Sequence, residues 1–203
     1  GTPTAGASGN YGVKGVPAPT NEPPAMYKTD ACWTDSNGKF WFYGGDLGSS
    51  ALWKYDPATN LWTWMNGDPV KELTGVYASK GSANPLNKPG SRSTHASWKD
   101  INGNFWFYGG NGYDSSSTFS SGSLDDFWKY DPNPASPTFN QWTWVSGSAT
   151  IAGQTGTNYG TKCSAASTNY PGARFEAKSV WIDKCGTFWM FGAGLGSRTN
   201  DLW

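Results

Sequence analysis

Four-residue aromatic runs recur along the chain, and both of their alternating faces are apolar. Phe40-Trp41-Phe42-Tyr43 and Phe105-Trp106-Phe107-Tyr108 are identical, and Phe188-Trp189-Met190-Phe191 is a worn copy. Side chains alternate faces along a strand, so Phe40 and Phe42 point one way while Trp41 and Tyr43 point the other. A sheet wetted on one side alternates apolar with polar residues. These runs therefore predict sheets buried on both faces.

The runs sit inside a longer repeat. Trp33, Trp98 and Trp181 each end a strand A, and a hairpin tip follows, written Asn37-Gly38 and Asn102-Gly103 in the first two copies. Asn-Gly supplies the positive φ of a tight turn. Asp35, Asp100 and Asp183 read as residues that cap these turns. The aromatic run is strand B, closed by Gly44-Gly45, Gly109-Gly110 or Gly192-Ala193. Glycine there lets backbones approach closely. Strand C holds Trp53 and Tyr55, Trp128 and Tyr130, or Leu202-Trp203. Strand D holds Trp62-Thr63-Trp64 and Trp142-Thr143-Trp144. A Tyr-x-x-Lys stretch precedes each copy, at Tyr11, Tyr77 and Tyr159. The chain is thus predicted to be all-β, in four-stranded antiparallel units, as one segment over 1–203. Residues 1–23 are a linker, 24–66 the first unit, 67–88 a linker, 89–146 the second unit, 147–170 a linker, and 171–203 a third unit cut within strand C.

Composition narrows the partners. Fifteen Lys+Arg balance fifteen Asp+Glu across 203 residues, so the chain exerts no net pull on phosphate. Nucleic acid is not expected as a partner, nor is a transmembrane segment, because the apolar runs are too short to span a bilayer. Thirteen Trp at fixed repeat positions read as packing between units.

The second unit orders Pro89, Arg92 and His95 before Gly109 and Gly110, then Tyr130 and Trp142. That order resembles the kelch repeat, the unit of a class of β-propellers. The first unit has Tyr27 where the pattern has Arg, and the third keeps Pro171 and Arg174. The resemblance implies a sector of kelch-type propeller blades within a larger closed propeller, continued by further blades of a longer chain or by other copies. It makes Gly44, Gly45, Gly109, Gly110, Arg92, His95, Arg174, Trp62 and Trp142 structural repeat positions. It also raises the copper enzymes of galactose-oxidase type, whose metal is held by two His and two Tyr. This chain has one His, so such active residues would lie outside the segment. No catalytic or metal-binding residue is assigned within it, and His95 reads as a buried or rim hydrogen-bonding residue.

Loops carry the remaining expectations. The B–C loop from Asn111 to Gly122 is the one large insertion, and long loops on rigid scaffolds concentrate binding residues. Tyr113, Asp114 and Phe119 are its candidate contacts to a glycan or protein. Asp114, Asp125 and Asp126 offer oxygens to Ca²⁺ but lack the ordered spacing of a dedicated loop, so no cofactor is expected. Cys163 takes the slot of Gly15 and Gly81, and Cys185 that of Asn37 and Asn102. Two substitutions in one unit predict a Cys163–Cys185 disulfide, with Cys32 a buried free thiol. The expected role is a non-catalytic binding, adhesion or surface-assembly module, extracellular or on the cell surface. An intracellular kelch adaptor is the other non-enzymatic reading. The chain has no Asn-x-Ser/Thr sequon, which fits a bacterial or otherwise unglycosylated protein.

Overall fold

The computed structural model describes residues 5–45, 49–116, 121–154, 156–176, 179–193 and 198–203. The fold is nearly all β, with one short 3-10 turn at Ile151–Gly153. The first sheet runs in the order β1 (Ala31–Thr34), β2 (Phe40–Tyr43), β3 (Leu52–Asp56), β4 (Leu61–Asn66), all antiparallel. The second sheet has six strands. These are β5 (Ala83–Asn84), β6 (Arg92–Ser93), β7 (Ala96–Lys99), β8 (Phe105–Gly112), β9 (Gly122–Tyr130) and β10 (Trp142–Ser146). Its order is β5-β10-β9-β8-β6, with β7 also paired to β8. The third sheet pairs β11 (Ser179–Ile182) with β12 (Phe188–Phe191), and Leu202 bridges Phe191 as the start of a further strand.

Each hairpin tip is held by its aspartate. Asp35 Oδ1 accepts the Asn37 and Lys39 amides at 2.9 and 3.0 Å, and Oδ2 accepts Trp41 Nε1 at 2.8 Å. Asp100 and Asp183 repeat this, ending on the indoles of Trp106 and Trp189. One carboxylate therefore closes the turn and also orients the aromatic residue six positions on.

Other aromatic rings stack the sheets face to face. Trp33 lies on Phe105 at 4.8 Å and 5°, and Tyr43 on Phe107 at 5.1 Å and 11°. The next pair of sheets repeats the contact, with Trp98 on Phe188 at 5.4 Å and 11°. Trp33 Nε1 donates to Trp98 O at 2.8 Å, and Trp98 Nε1 to Trp189 O at 3.2 Å. Trp53, Phe105, Phe107, Trp128, Tyr130 and Trp142 are fully buried. Each such side chain contributes about 1.5–3 kcal/mol over the exposed state. The outer faces of the first and third sheets stay open, where Phe40 is 49% and Trp181 53% exposed.

The glycine doublets dock each sheet against the next unit. Gly44 and Gly109 have φ of 71° and 64°, and a Cβ on either would lie 2.5 Å from the carbonyl oxygen of Arg92 or Arg174. In the second sheet the doublet does not end the strand as expected. The register shifts between Tyr108 and Gly110, and β8 continues through a bulge to Gly112. The positive φ at Gly109 permits that bulge.

The stretches read as linkers carry repeated structure. Each contains a bridge twelve residues apart: Asn10–Glu22, Val76–Lys88 and Asn158–Tyr170. The excursion so closed returns to its own unit and lies along strand D, with Ala18 opposite Trp62 and Asn84 opposite Trp142. It acts as a fifth strand that covers an otherwise bare edge.

The cysteine expectations are corrected. Cys163 and Cys185 are free thiols, and Cys32 is free but exposed rather than buried. Cys163 holds the positive-φ slot (63°) of Gly15 and Gly81, whose amides bond to strand D. Cys185 sits in the A–B hairpin tip. Strand A and the excursion flank opposite edges of a four-stranded unit, and strands are spaced about 4.8 Å apart. A disulfide cannot cross that width. Cys32 faces outward because the first sheet's outer face is uncovered. Native protein is accordingly expected to react with three equivalents of a thiol reagent before and after reduction. A gain of two thiols on reduction would contradict this.

Candidate functional site

Two repeated constellations surround the arginines. Arg92 is fully buried and grips Asp126 at both ends, Nη1 to Oδ1 at 2.5 Å and Nη2 to Oδ2 at 2.7 Å. Its remaining donors reach Gly90 O, Gly109 O and the Tyr77 hydroxyl. Asp126 Oδ2 also accepts Tyr77 Oη at 2.5 Å and Trp128 Nε1 at 2.7 Å. In the third unit Arg174 grips Asp201, which accepts Tyr159 Oη at 2.9 Å and Trp203 Nε1 at 2.8 Å. In the first unit Tyr27 and Ala51 occupy the two positions, so cation and carboxylate are lost together. There the buried Trp53 Nε1 has no hydrogen-bond partner among the described residues.

His95 lies between the first two sheets, 5.0 Å from the Phe107 ring and 5.9 Å from that of Tyr43. It is buried, and neither ring nitrogen meets a well-aligned hydrogen-bond partner among the described residues. Burial, and then the Arg92 charge, push its pKa from 6.5 down to about 3. The imidazole is therefore neutral near physiological pH, and it packs as an apolar ring.

The B–C loop of the second unit meets both neighbouring excursions. The Tyr113 amide donates to Ser91 O at 2.9 Å, and its side chain is only 6% exposed. Asp114 is buried as well: Oδ1 accepts the Ser116 amide at 2.7 Å and Oδ2 the Ile151 amide at 2.6 Å. Tyr113 and Asp114 thus fasten the loop to the scaffold, where the sequence suggested contacts to a partner. Phe119 lies outside the described residues. Trp142 is fully buried in strand D, while Trp62 packs on Tyr55 and Phe42 at the open face of the first sheet.

Beside this loop an open groove of about 390 Å³ is lined by Lys80, Asp125, Trp144, Ser148, Gly153 and Tyr170. Asp125 Oδ1 accepts the Ser148 amide at 2.9 Å, and Oδ2 accepts the Tyr170 hydroxyl. Burial raises the Asp125 pKa, its hydrogen bonds working against that. Burial, then the bond to Asp125, raises Tyr170 well above the ordinary phenol, so Tyr170 keeps its proton and donates it. Lys80 Nζ lies 4.4 Å over the Trp144 ring and donates to Gly147 O at 2.8 Å. Tyr170 does not stand out in the sequence. Its only signal is that Lys88 holds the matching position one unit earlier.

Asp114, Asp125 and Asp126, weighed as calcium ligands, are each bound to different protein donors. Among the described residues no group of three or more His, Cys, Asp or Glu is placed to hold a metal. Nor is any helix among them long and apolar enough to cross a membrane. No protein-family model matches the chain, and no curated protein matches it.

Proposed function

We propose that the chain is a run of kelch-type propeller blades, two complete and a third reaching strand C. In this reading it works outside the cell as a non-catalytic binding or surface-assembly module for a glycan or protein. The observation that carries the reading is the burial of both faces of the second sheet against its neighbours. Strands so enclosed leave loop ends as the surface that meets a partner. The Arg92, His95, Asp114, Asp126 and Arg174 side chains are engaged inside the scaffold, which favours binding over chemistry at these positions. A fold of this kind hosts many activities, so the partner is argued from the groove. An aromatic wall of Trp144 and Tyr170 with Lys80, Asp125 and Ser148 at its margins suits a sugar ring. One face of such a ligand is apolar and its hydroxyls need polar partners.

The test is retention on an array of immobilised neutral and acidic oligosaccharides. Ala149 also lines the groove, and Ala149→Trp should fill it and weaken retention at least about tenfold, or 1.4 kcal/mol. Asn37→Trp, at a hairpin tip on the opposite end, should leave retention unchanged. Loss through Asn37→Trp with none through Ala149→Trp would place the partner on the other end of the sheets.

A further inference from the structure

The groove beside Asp125, at the junction of the second and third units, has a counterpart at the junction of the first and second, with its charges rearranged. In the first groove Lys14 lies 4.4 Å over Trp64 and donates to Gly67 O at 2.7 Å. In the second Lys80 lies 4.4 Å over Trp144 and donates to Gly147 O at 2.8 Å. The Asp68 amide donates to Ser50 Oγ at 3.3 Å, and the Ser148 amide to Asp125 Oδ1 at 2.9 Å. Ser50 and Asp68 of the first groove are thus Asp125 and Ser148 in the second, so carboxylate and hydroxyl have changed places. The residue after the repeated asparagine, Asn87 or Asn169, closes each groove. It is Lys88 in the first and Tyr170 in the second.

That last exchange removes a cation. Lys88 Nζ pairs with the Asp68 carboxylate. Tyr170 offers Asp125 a neutral hydroxyl instead, and among the described residues Asp125 is in no ion pair. Asp125 is 1% exposed, and a buried carboxylate without a counter-ion is costly. The Ser148 amide and the Tyr170 hydroxyl leave acceptor capacity on its two oxygens. Lys80 does not bar a second cation. In the first groove Lys14 and Lys88 share the single Asp68, and the charges of both Asp68 and Lys88 act on Lys14. A complete unit follows that first groove. Among the described residues, no side-chain hydrogen bond of Lys14, Asp68 or Lys88 reaches strand D of that unit. The groove therefore belongs to the junction between two units.

We propose that the second groove binds an amino sugar with a free primary amine, such as a glucosamine unit, its ammonium resting on Asp125 as Lys88 Nζ rests on Asp68 in the first. This rests on the sugar reading given above and narrows it to one class of sugar. The ring lies against Trp144 and Tyr170, and Lys80, with one donor on Gly147 O, has donors left for its hydroxyls. Charge-assisted hydrogen bonds are roughly twice as strong as neutral ones, so the amine sets the preference. A lysine side chain carries the same ammonium but no ring to cover the aromatic wall.

The probes are a tetramer of glucosamine and its fully N-acetylated counterpart, titrated by calorimetry against the whole chain in mildly acidic buffer, where the free amine is protonated. The parent should bind the free amine at least about tenfold more tightly. Asp125→Asn keeps the shape of the side chain and removes its charge. It should erase the preference while the acetylated tetramer binds as before. Tyr170→Lys, which gives the second groove the side chain that Lys88 gives the first, should erase the preference too. Equal affinity of the parent for the two tetramers would overturn the amine and leave the sugar groove standing. Binding of neither would overturn both. A preference that survives both Asp125→Asn and Tyr170→Lys would overturn the proposal by placing the amine elsewhere. A lysine tetrapeptide bound as tightly as the glucosamine tetramer would overturn the sugar as the ligand.

Discussion

Arg92→Met is expected to destabilise the protein by about 3–5 kcal/mol, and Asp126→Ala by a similar amount, because each leaves a buried charge without its partner. Both side chains are wholly buried and joined by two hydrogen bonds. After Arg92→Met, the Asp126 carboxylate keeps, of its side-chain donors among the described residues, the Tyr77 hydroxyl and the Trp128 indole. After Asp126→Ala, the guanidinium keeps Gly90 O, Gly109 O and the Tyr77 hydroxyl, but no anion. Replacing both, as Arg92→Met/Asp126→Leu, should recover at least half of the loss, since an apolar pair of similar volume carries no desolvation penalty. The first unit already lives without the pair, having Tyr27 and Ala51 at these positions. Chemical denaturation of the two singles and the double variant measures the coupling. Single variants that each cost less than about 1 kcal/mol, within the range of exposed ion pairs, would contradict a buried one.

The second large effect is a fall in stability on acidification, traceable to one histidine. His95 has a folded-state pKa of about 3 against 6.5 in the unfolded chain. A base with a depressed pKa stays neutral in the native state while the unfolded state takes up a proton. Stability is therefore level above the unfolded value. It falls by about 1.4 kcal/mol per pH unit as the pH drops from 6.5 towards 3. The lowered carboxylates, Asp56, Asp131, Asp183 and Asp201, lose their contribution only below the ordinary carboxylate range. Asp125, raised by burial, works in the opposite direction above that range. Between about pH 6.5 and pH 5 the slope thus belongs chiefly to His95. His95→Phe keeps a ring between Tyr43 and Phe107 and cannot titrate, so the fall in unfolding free energy on acidification should disappear over that interval. Equal slopes in the parent and the variant would show that His95 is not the group.

The sheets were legible because their signals are local. Period-two alternation in Phe40–Tyr43, Asn-Gly tips and glycine doublets all act within about ten residues. The excursions look like linkers in the sequence because their partners are distant: Asn21 meets Trp62, and Lys14 meets Gly67. Nothing in Tyr-Gly-Val-Lys looks like a strand, yet Tyr, Lys and Asn recur at constant spacing in all three copies. That recurrence was the available signal. The Arg–Asp pairing was also written in the chain, as the joint loss of both residues in the first unit. The burial of Tyr113 and Asp114 was not legible for a different reason. A long, Ser-rich loop suggests exposed contacts, whereas Gly75, Gly90, Ser91 and Ile151 close around it from segments 20 to 40 positions away. The cysteine pairing failed because matching novelty within a unit says nothing of which sheet edge each residue occupies.

Face-to-face stacking of successive units underlies both the enclosed strands and the free loop ends, and aromatic NOE spectroscopy tests that contact most directly. It predicts strong cross-peaks between the rings of Trp33 and Phe105, and between those of Trp98 and Phe188, whose centroids lie 4.8 and 5.4 Å apart. If Trp33 and Trp98 instead show contacts only to residues of their own sheets, the units do not stack. The enclosure of the strand faces, and the confinement of binding to loop ends, would then both be wrong.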